Sequence, residues 1–305
     1  MTGAEGVQLL RSFSNAVAEL ADNVSPSVVR VSAGRRSGTG VVWSGDGLIV
    51  TAFHVVGQSE SPSVVLGDGR ELEAKVVGRD QYADVALLKV DALGLSPLSL
   101  RTADRVRVGE FVLALANAMD KKPSATSGIV TGASRRMRGL WGVMIEDAVV
   151  TDAKLNPGYS GGPLVDASGR MVGMNVAYFA GRGAAVSVEV LKETVERLSR
   201  DGRVKKGFLG VVVEPIELPE ELAKSPDVSQ GTGLLVRAVD PGSPARAAGV
   251  AIGDIILKLG EAQAIDEYEL HKALASDVVG KLVTLKVLRG EKATEFGVTP
   301  REVEG

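Results

Sequence analysis

The run Asn156-Pro157-Gly158-Tyr159-Ser160-Gly161-Gly162-Pro163 sets a serine among residues that leave its backbone approachable. A serine hydroxyl is a poor nucleophile at neutral pH. It needs a base to take its proton and a third group to fix the tautomer of that base. The chain has two histidines, and one of them, His54 in Thr51-Ala52-Phe53-His54-Val55-Val56, lies upstream of an aspartate, Asp84, in Ala83-Asp84-Val85-Ala86. His54 fits the base, Asp84 the orienting acid and Ser160 the nucleophile of an acyl transfer. The surrounding glycines answer a separate need, because backbone N–H groups must reach a developing oxyanion and bulky side chains would obstruct them. Gly158 and Ser160 are the expected donors, with Tyr159 between them in the same loop. Taken singly, each residue has a plainer reading: a turn serine, a structural histidine, and an aspartate capping a turn, for which Asp80 is a rival. Their combination and order favour catalysis.

A competing pattern tests that order. Gly158-x-Ser160-x-Gly162 also matches a nucleophile elbow, whose triad runs serine, acid, histidine and whose serine opens a helix. Only His271 follows Ser160, and it sits in Asp266-Glu267-Tyr268-Glu269-Leu270-His271-Lys272-Ala273-Leu274, where apolar residues recur at helical spacing. Gly161-Gly162-Pro163 would break a helix, and Leu164-Val165 and an Asp166-Ala167-Ser168-Gly169 turn follow. The elbow fails on both counts. The order His54, Asp84, Ser160 is that of the chymotrypsin arrangement.

With Ser37-Gly38-Thr39-Gly40-Val41-Val42, Thr126-Ser127-Gly128-Ile129-Val130 and Thr151-Asp152-Ala153 added, the segment resembles the HtrA/Deg family of trypsin-like serine proteases. From about residue 206 onward the chain resembles a single PDZ domain. The resemblance implies a mainly β fold: a chymotrypsin-like double Greek-key β-barrel protease domain over 27–203, behind an N-terminal helical segment 1–26, followed by a PDZ domain over 204–305. It implies a serine endopeptidase that degrades unfolded or misfolded polypeptides through an acyl-enzyme. The alternative is a chaperone or peptide-binding scaffold with little proteolysis. It also implies a homo-oligomer, a trimer or a multiple of one. The substrate pocket would be built from Lys154, Leu155, Asn175, Val176, Ala177 and Tyr178, with no aspartate to pair with a basic side chain, so cleavage should follow small or aliphatic residues. Phe208-Leu209-Gly210-Val211 looks like a PDZ carboxylate-binding loop, in which successive N–H groups hold the C-terminus of a peptide that adds as a strand. The helix with His271 and Leu274 would form the opposite wall. Arg135 to Gly142, containing Trp141, corresponds to a regulatory loop in that family. Tyr159 stands where asparagine is usual, Ala116-Asn117-Ala118 replaces a Gly-Asn-Pro turn, and Ala185-Val186-Ser187-Val188 lacks a usual proline.

The elements that must position these groups follow from periodicity. Val7, Leu10, Phe13, Val17 and Leu20 recur every three or four residues, which predicts an amphipathic helix docked on its own body or on another subunit. Short β-branched runs from Val28 to about Val188 alternate with turns such as Ser44-Gly45-Asp46-Gly47, the pattern of sandwiches and barrels. A helix is predicted over 190–200, closed by Asp201-Gly202. A second β-rich unit begins with Gly207-Phe208-Leu209-Gly210-Val211-Val212-Val213.

Composition narrows the function. At 305 residues the length suits two domains, and 45% hydrophobic with 24% charged residues describes a globular chain. A net charge of -3 gives no general attraction for nucleic acid. Without cysteine there is no disulfide or thiolate-metal site, and two distant histidines make a metal cluster improbable, so no cofactor or metal is expected. No stretch approaches the roughly 20 apolar residues of a membrane span. The start lacks a signal-like pattern, which fits either an extracytoplasmic chain whose leader has been removed or a cytoplasmic one.

Overall fold

The computed structural model describes residues 3–81, 83–117, 123–138, 144–179, 181–202, 207–225, 228, 230–274 and 278–302. The chain divides into two compact units, Met1–Arg203 and Val204–Gly305.

The first unit opens with helix α1 (Gly3–Val24). Its C-terminal end is anchored by the buried Val24, and near its middle Phe13 lies edge-on to Phe111 at 5.8 Å while staying largely exposed. Toward the N-terminus the apolar side is exposed: Val7, Leu10 and Phe13 are 52%, 69% and 55% accessible. Six strands follow, β1 (Val28–Ala33), β2 (Arg36–Val42), β3 (Leu48–Ala52), β4 (Ser63–Val65), β5 (Glu71–Asp80) and β6 (Val85–Val90), with the single-turn helix α2 (Phe53–Val56) between β3 and β4. They close into a barrel of order β1-β2-β3-β6-β5-β4. The next six are β7 (Phe111–Ala116), β8 (Ser124–Arg138), β9 (Met144–Thr151), β10 (Pro163–Asp166), β11 (Met171–Phe179) and β12 (Arg182–Ser187). They close in the same topology, β7-β8-β9-β12-β11-β10. Closure removes free edges and lets each barrel fill with its own inward residues. Ile49, Leu87 and Leu88 are fully buried in the first, and Leu113, Leu164 and Met171 in the second. Each such side chain contributes about 2 kcal/mol on burial.

Helix α3 (Val188–Asp201) ends the unit. The Ser187 side chain accepts from Val190 N at its start, and Gly202 takes a left-handed conformation after its end. Leu191, Val195 and Leu198 form its buried face, which lies against β5 and β11. The helix thus runs slightly longer than the periodicity predicts, because the serine cap sits before the first apolar repeat.

In the second unit the run 207–213 is two strands, β13 (Gly207–Phe208) and β14 (Val211–Glu217), separated at Gly210. The remaining elements are α4 (Glu220–Ala223), β15 (Thr232–Val239), α5 (Pro244–Ala248), β16 (Ile255–Leu259), β17 (Ala262–Gln263), α6 (Glu267–Ala273), β18 (Val283–Arg289), β19 (Lys292–Val298) and β20 (Arg301–Glu302). β13 pairs with β20, while the main sheet runs β14-β15-β16-β18-β19, leaving β14 at an edge. Leu234, Val236, Ile256, Leu270, Leu285 and Val287 fill the core. Among the described residues no helix is long and apolar enough to cross a membrane.

Candidate active site

Strand register brings the first two groups together. Ala52, the last residue of β3, is paired with Val85, the first of β6, so His54 just past one strand end meets Asp84 just before the other. The contact is double. Asp84 Oδ1 accepts the main-chain N–H of His54 at 2.9 Å, and Oδ2 lies 2.7 Å from His54 Nδ1. Phe53 N donates to Asp84 O at 3.0 Å, which fixes the backbone as well. Asp84 adopts φ +54°, a left-handed conformation that aspartate tolerates better than most side chains. A proton held on Nδ1 by the carboxylate leaves Nε2 free to act as a base. The imidazole is 25% exposed and the carboxylate 12%, so the base meets the surface while its partner is sheltered. The rival Asp80 is buried and its Oδ1 accepts from Ala83 N at 3.0 Å, which makes it a cap of the turn leading to Asp84.

Ser160 lies in the loop between β9 and β10. Tyr159 N donates to Asn156 O at 3.1 Å across a turn with Pro157 second and Gly158 third, and Gly158 has φ +95°. Proline followed by a glycine of positive φ is the signature of a type II turn. Among the described residues neither the Gly158 nor the Ser160 N–H meets an acceptor. The loop is pinned to both barrels. Gly161 N donates to Asn175 O at 2.7 Å and Asn175 N to Gly162 O at 2.8 Å, within the second barrel. From the first, Thr39 N donates to Ser160 O at 2.9 Å and Thr39 Oγ1 to Gly158 O at 2.7 Å. A Cβ on Gly161, at φ +84°, would overlap Thr39 O and Thr51 Oγ1, so only glycine admits this approach. The seam places the Ser160 loop against the Thr51-Ala52 end of β3, from which His54 follows. Among the described residues no hydrogen bond joins Ser160 Oγ to His54, a bond that tightens in such sites when substrate enters.

Tyr159 is buried in the second barrel with Leu155, Leu164 and Val172. Burial pushes its phenol above the ordinary tyrosine range, and a hydrogen bond with Thr126 opposes this. Its side chain therefore anchors the loop from below. The expected pocket residues divide. Lys154 is exposed, Leu155 and Val176 are buried, and the side chains of Ala177 and Tyr178, on β11, lie outside the described residues. Asn175 is fully buried, and its Nδ2 donates to Pro163 O at 3.1 Å, at the end of the Ser160 loop. Trp141 and its neighbours 139–143 also lie outside the described residues. Sequence reading gave no role to Thr39 or Thr51. The signal for Thr39 was a hydroxyl residue between Gly38 and Gly40, where small neighbours allow another chain segment to approach; Thr51, between Val50 and Ala52, carried none.

In the second unit Phe208 is half-buried beneath the Arg301 guanidinium, 4.7 Å from the ring centroid. Gly210 has φ +76°, and Val211 begins edge strand β14. Leu209 and Leu274 are core residues, and Gly207 N donates to Leu274 O at 2.7 Å. These two leucines hold the loop and α6 in place more than they line a surface. His271 is exposed on α6, its Nδ1 2.7 Å from Glu267 O.

Comparison with known proteins agrees with both units. Residues 38–174 match the trypsin-like peptidase domain and 207–299 the PDZ domain. The serine endoprotease from Yersinia pestis superposes with a TM-score of 0.77 at 30% identity, over 94% of this chain and 98% of its own. The structure of the HtrA-type protease AlgW with tripeptide matches this chain with a TM-score of 0.80 at 30% identity, over 94% and 97% of the two chains. This chain belongs to the HtrA family of trypsin-like serine proteases. A DegP-like periplasmic serine endoprotease of Halomonas elongata is 36% identical over 274 residues, which are 87% of this HtrA-family chain and 56% of that relative. The chain spans about half the length of the curated relatives it matches.

Proposed function

We propose that this chain is a serine endopeptidase acting on unfolded polypeptides, with Ser160 as nucleophile, His54 as general base and then acid, and Asp84 as the group that orients the imidazole. Ser160 Oγ attacks the peptide carbonyl while His54 Nε2 takes its proton. The Gly158 and Ser160 N–H groups, with Tyr159 between them, receive the oxyanion. The proton passes to the leaving amine, and water, deprotonated by the same imidazole, releases the acyl group. The observation that carries the reading is the paired contact of both Asp84 oxygens with His54, 2.9 and 2.7 Å, beside a serine loop whose two N–H groups are unengaged.

The second unit extends the proposal. A carboxylate loop at Phe208, Leu209, Gly210 and Val211, next to edge strand β14, suits capture of a free C-terminus by strand addition. His271, exposed on α6, would face that strand, with Leu274 packed behind it as the base of the opposite wall. A small or aliphatic residue before the cleaved bond is the expected preference, with Lys154, Leu155, Val176, Ala177 and Tyr178 near it. Exposed Val7, Leu10 and Phe13 on α1 support assembly with further copies of the chain, a trimer being the proposed form. Relatives named as periplasmic support an extracytoplasmic location.

A fluorophosphonate probe tests the core of this reading. Covalent labelling at Ser160, with Ser160→Ala losing both labelling and casein hydrolysis by several orders of magnitude, is the expected result. Equal hydrolysis by Ser160→Ala would remove the assignment.

A further inference from the structure

Thr39 is the most fully engaged polar residue at the seam between the barrels. It is fully buried in β2. Its N–H donates to Ser160 O at 2.9 Å, and its C=O accepts from Thr51 Oγ1 at 2.6 Å. Its hydroxyl accepts from Asn117 N at 3.0 Å and donates to Gly158 O at 2.7 Å. The direction of the last bond is determined. A hydroxyl has one proton, and with Asn117 N–H on an oxygen lone pair that proton turns to the carbonyl of Gly158.

We propose that Thr39 is a positioning residue for the oxyanion-binding loop, its hydroxyl and main-chain N–H together holding the two carbonyls on either side of Tyr159. The proposal rests on the peptidase reading above and names a residue that acts through Gly158 and Ser160 without touching substrate. Rotating the Gly158–Tyr159 peptide would break the Thr39 bond and the Tyr159-to-Asn156 turn bond at once. That peptide lies between the two N–H donors, so its orientation sets where they aim. Donors must stand within about 3 Å of the developing oxygen, and a misplacement of roughly 1 Å can cost about 100-fold. Thr39 is suited to the task because β2 pairs on both sides within a closed barrel and β-branching restricts its side chain.

The test compares Thr39→Val, which keeps shape and loses the hydroxyl, with Thr39→Ser, which keeps the hydroxyl. Thr194→Val, a fully buried threonine on α3, is the control for losing a buried hydroxyl elsewhere. Turnover of a chromogenic peptide, thermal unfolding, and amide exchange over residues 156–163 are measured on the full chain. Thr39→Val should lower kcat by roughly 10- to 100-fold with KM within about threefold, and should speed exchange of that segment. Thr39→Ser should recover kcat to within about threefold of the parent, and Thr194→Val should keep it. A folded Thr39→Val with parental kcat and exchange overturns the proposal. So does a Thr39→Ser as impaired as Thr39→Val, since packing of the methyl would then be responsible. If the parent shows no Ser160-dependent turnover, it is the peptidase reading that fails. The exchange measurement then decides the Thr39 clamp alone: faster exchange supports it and unchanged exchange overturns it.

Discussion

Asp84→Asn separates orientation of the base from mere stability. Two donors face the carboxylate, the His54 main-chain N–H at 2.9 Å and the imidazole Nδ1 at 2.7 Å. An asparagine offers one acceptor and one donor in the same space, and it tolerates the φ of +54° as well as aspartate does. The backbone N–H cannot become an acceptor, whereas the imidazole can change tautomer. The new amide oxygen therefore turns to the backbone and its NH₂ to Nδ1, which moves the histidine proton to Nε2. That nitrogen then cannot accept from Ser160. In serine proteases this exchange costs about 10⁴ in kcat, equivalent to about 5.5 kcal/mol of transition-state stabilisation. Loss of one charge-assisted bond should cost about 1–2 kcal/mol of stability, a fall of only a few degrees in Tm. The assay is kcat/KM for a chromogenic peptide beside a melting curve. Asp80→Asn, at the turn cap, should retain more than about a tenth of the rate. An Asp84→Asn protein that folds normally and keeps more than about a tenth of parental activity would refute the tautomer argument.

Three further outcomes follow from other contacts. Gly161→Ala places a Cβ against Thr39 O and Thr51 Oγ1 at φ +84°, so stability should drop by about 2–5 kcal/mol and the first unit should melt roughly 5–15 °C lower; an unchanged melting point would argue against this loop geometry. The Arg101 guanidinium beside Glu110, helped by Arg107, holds its carboxyl down from 4.5 to about 2, so the folded state binds this proton less tightly than the unfolded chain. That contributes about 3 kcal/mol above pH 4.5, lost as pH falls from 4.5 toward 2; in denaturant titrations Glu110→Gln should be weaker at pH 7 and show a shallower acid slope. A peptide with a free C-terminus should bind at least about tenfold more tightly than its amide, measured by fluorescence anisotropy, and equal affinities would remove carboxylate capture.

The barrels could be read from the sequence because their strands advertise themselves one at a time. Val85 to Val90 is a nearly continuous apolar run, as a strand buried on both faces must be. Strand β5 gave a weaker signal, since Glu71, Glu73, Lys75 and Arg79 alternate with smaller or apolar residues over a long, half-exposed element. His54 and Asp84 could be paired from motif order, although their contact depends on the register of β3 against β6, which no local pattern states. The setting of Asn175 was hidden for a related reason. The family resemblance puts it in the pocket strand, but only the pairing of β11 shows that its side chain is buried, with Nδ2 donating to Pro163 O.

What periodicity could not reveal is the seam. Thr39 and Gly158 are 119 residues apart and belong to different barrels, so neither turn chemistry nor alternation links them. The same seam explains why glycine recurs there. Strand β2 must pass within hydrogen-bonding distance of the serine loop, and Cβ atoms at Gly38 and Gly161 would meet Ser160 O and Thr39 O respectively. Those glycines announced a close approach without naming the partner. Each barrel buries enough apolar side chain to stand as a scaffold, and the polar bonds between them hold the Ser160 loop of one against the end of β3 that leads to His54 in the other. A substitution at the seam should therefore lower turnover more than it lowers the melting point, whereas loss of a core side chain such as Leu87 or Leu164 should do the reverse.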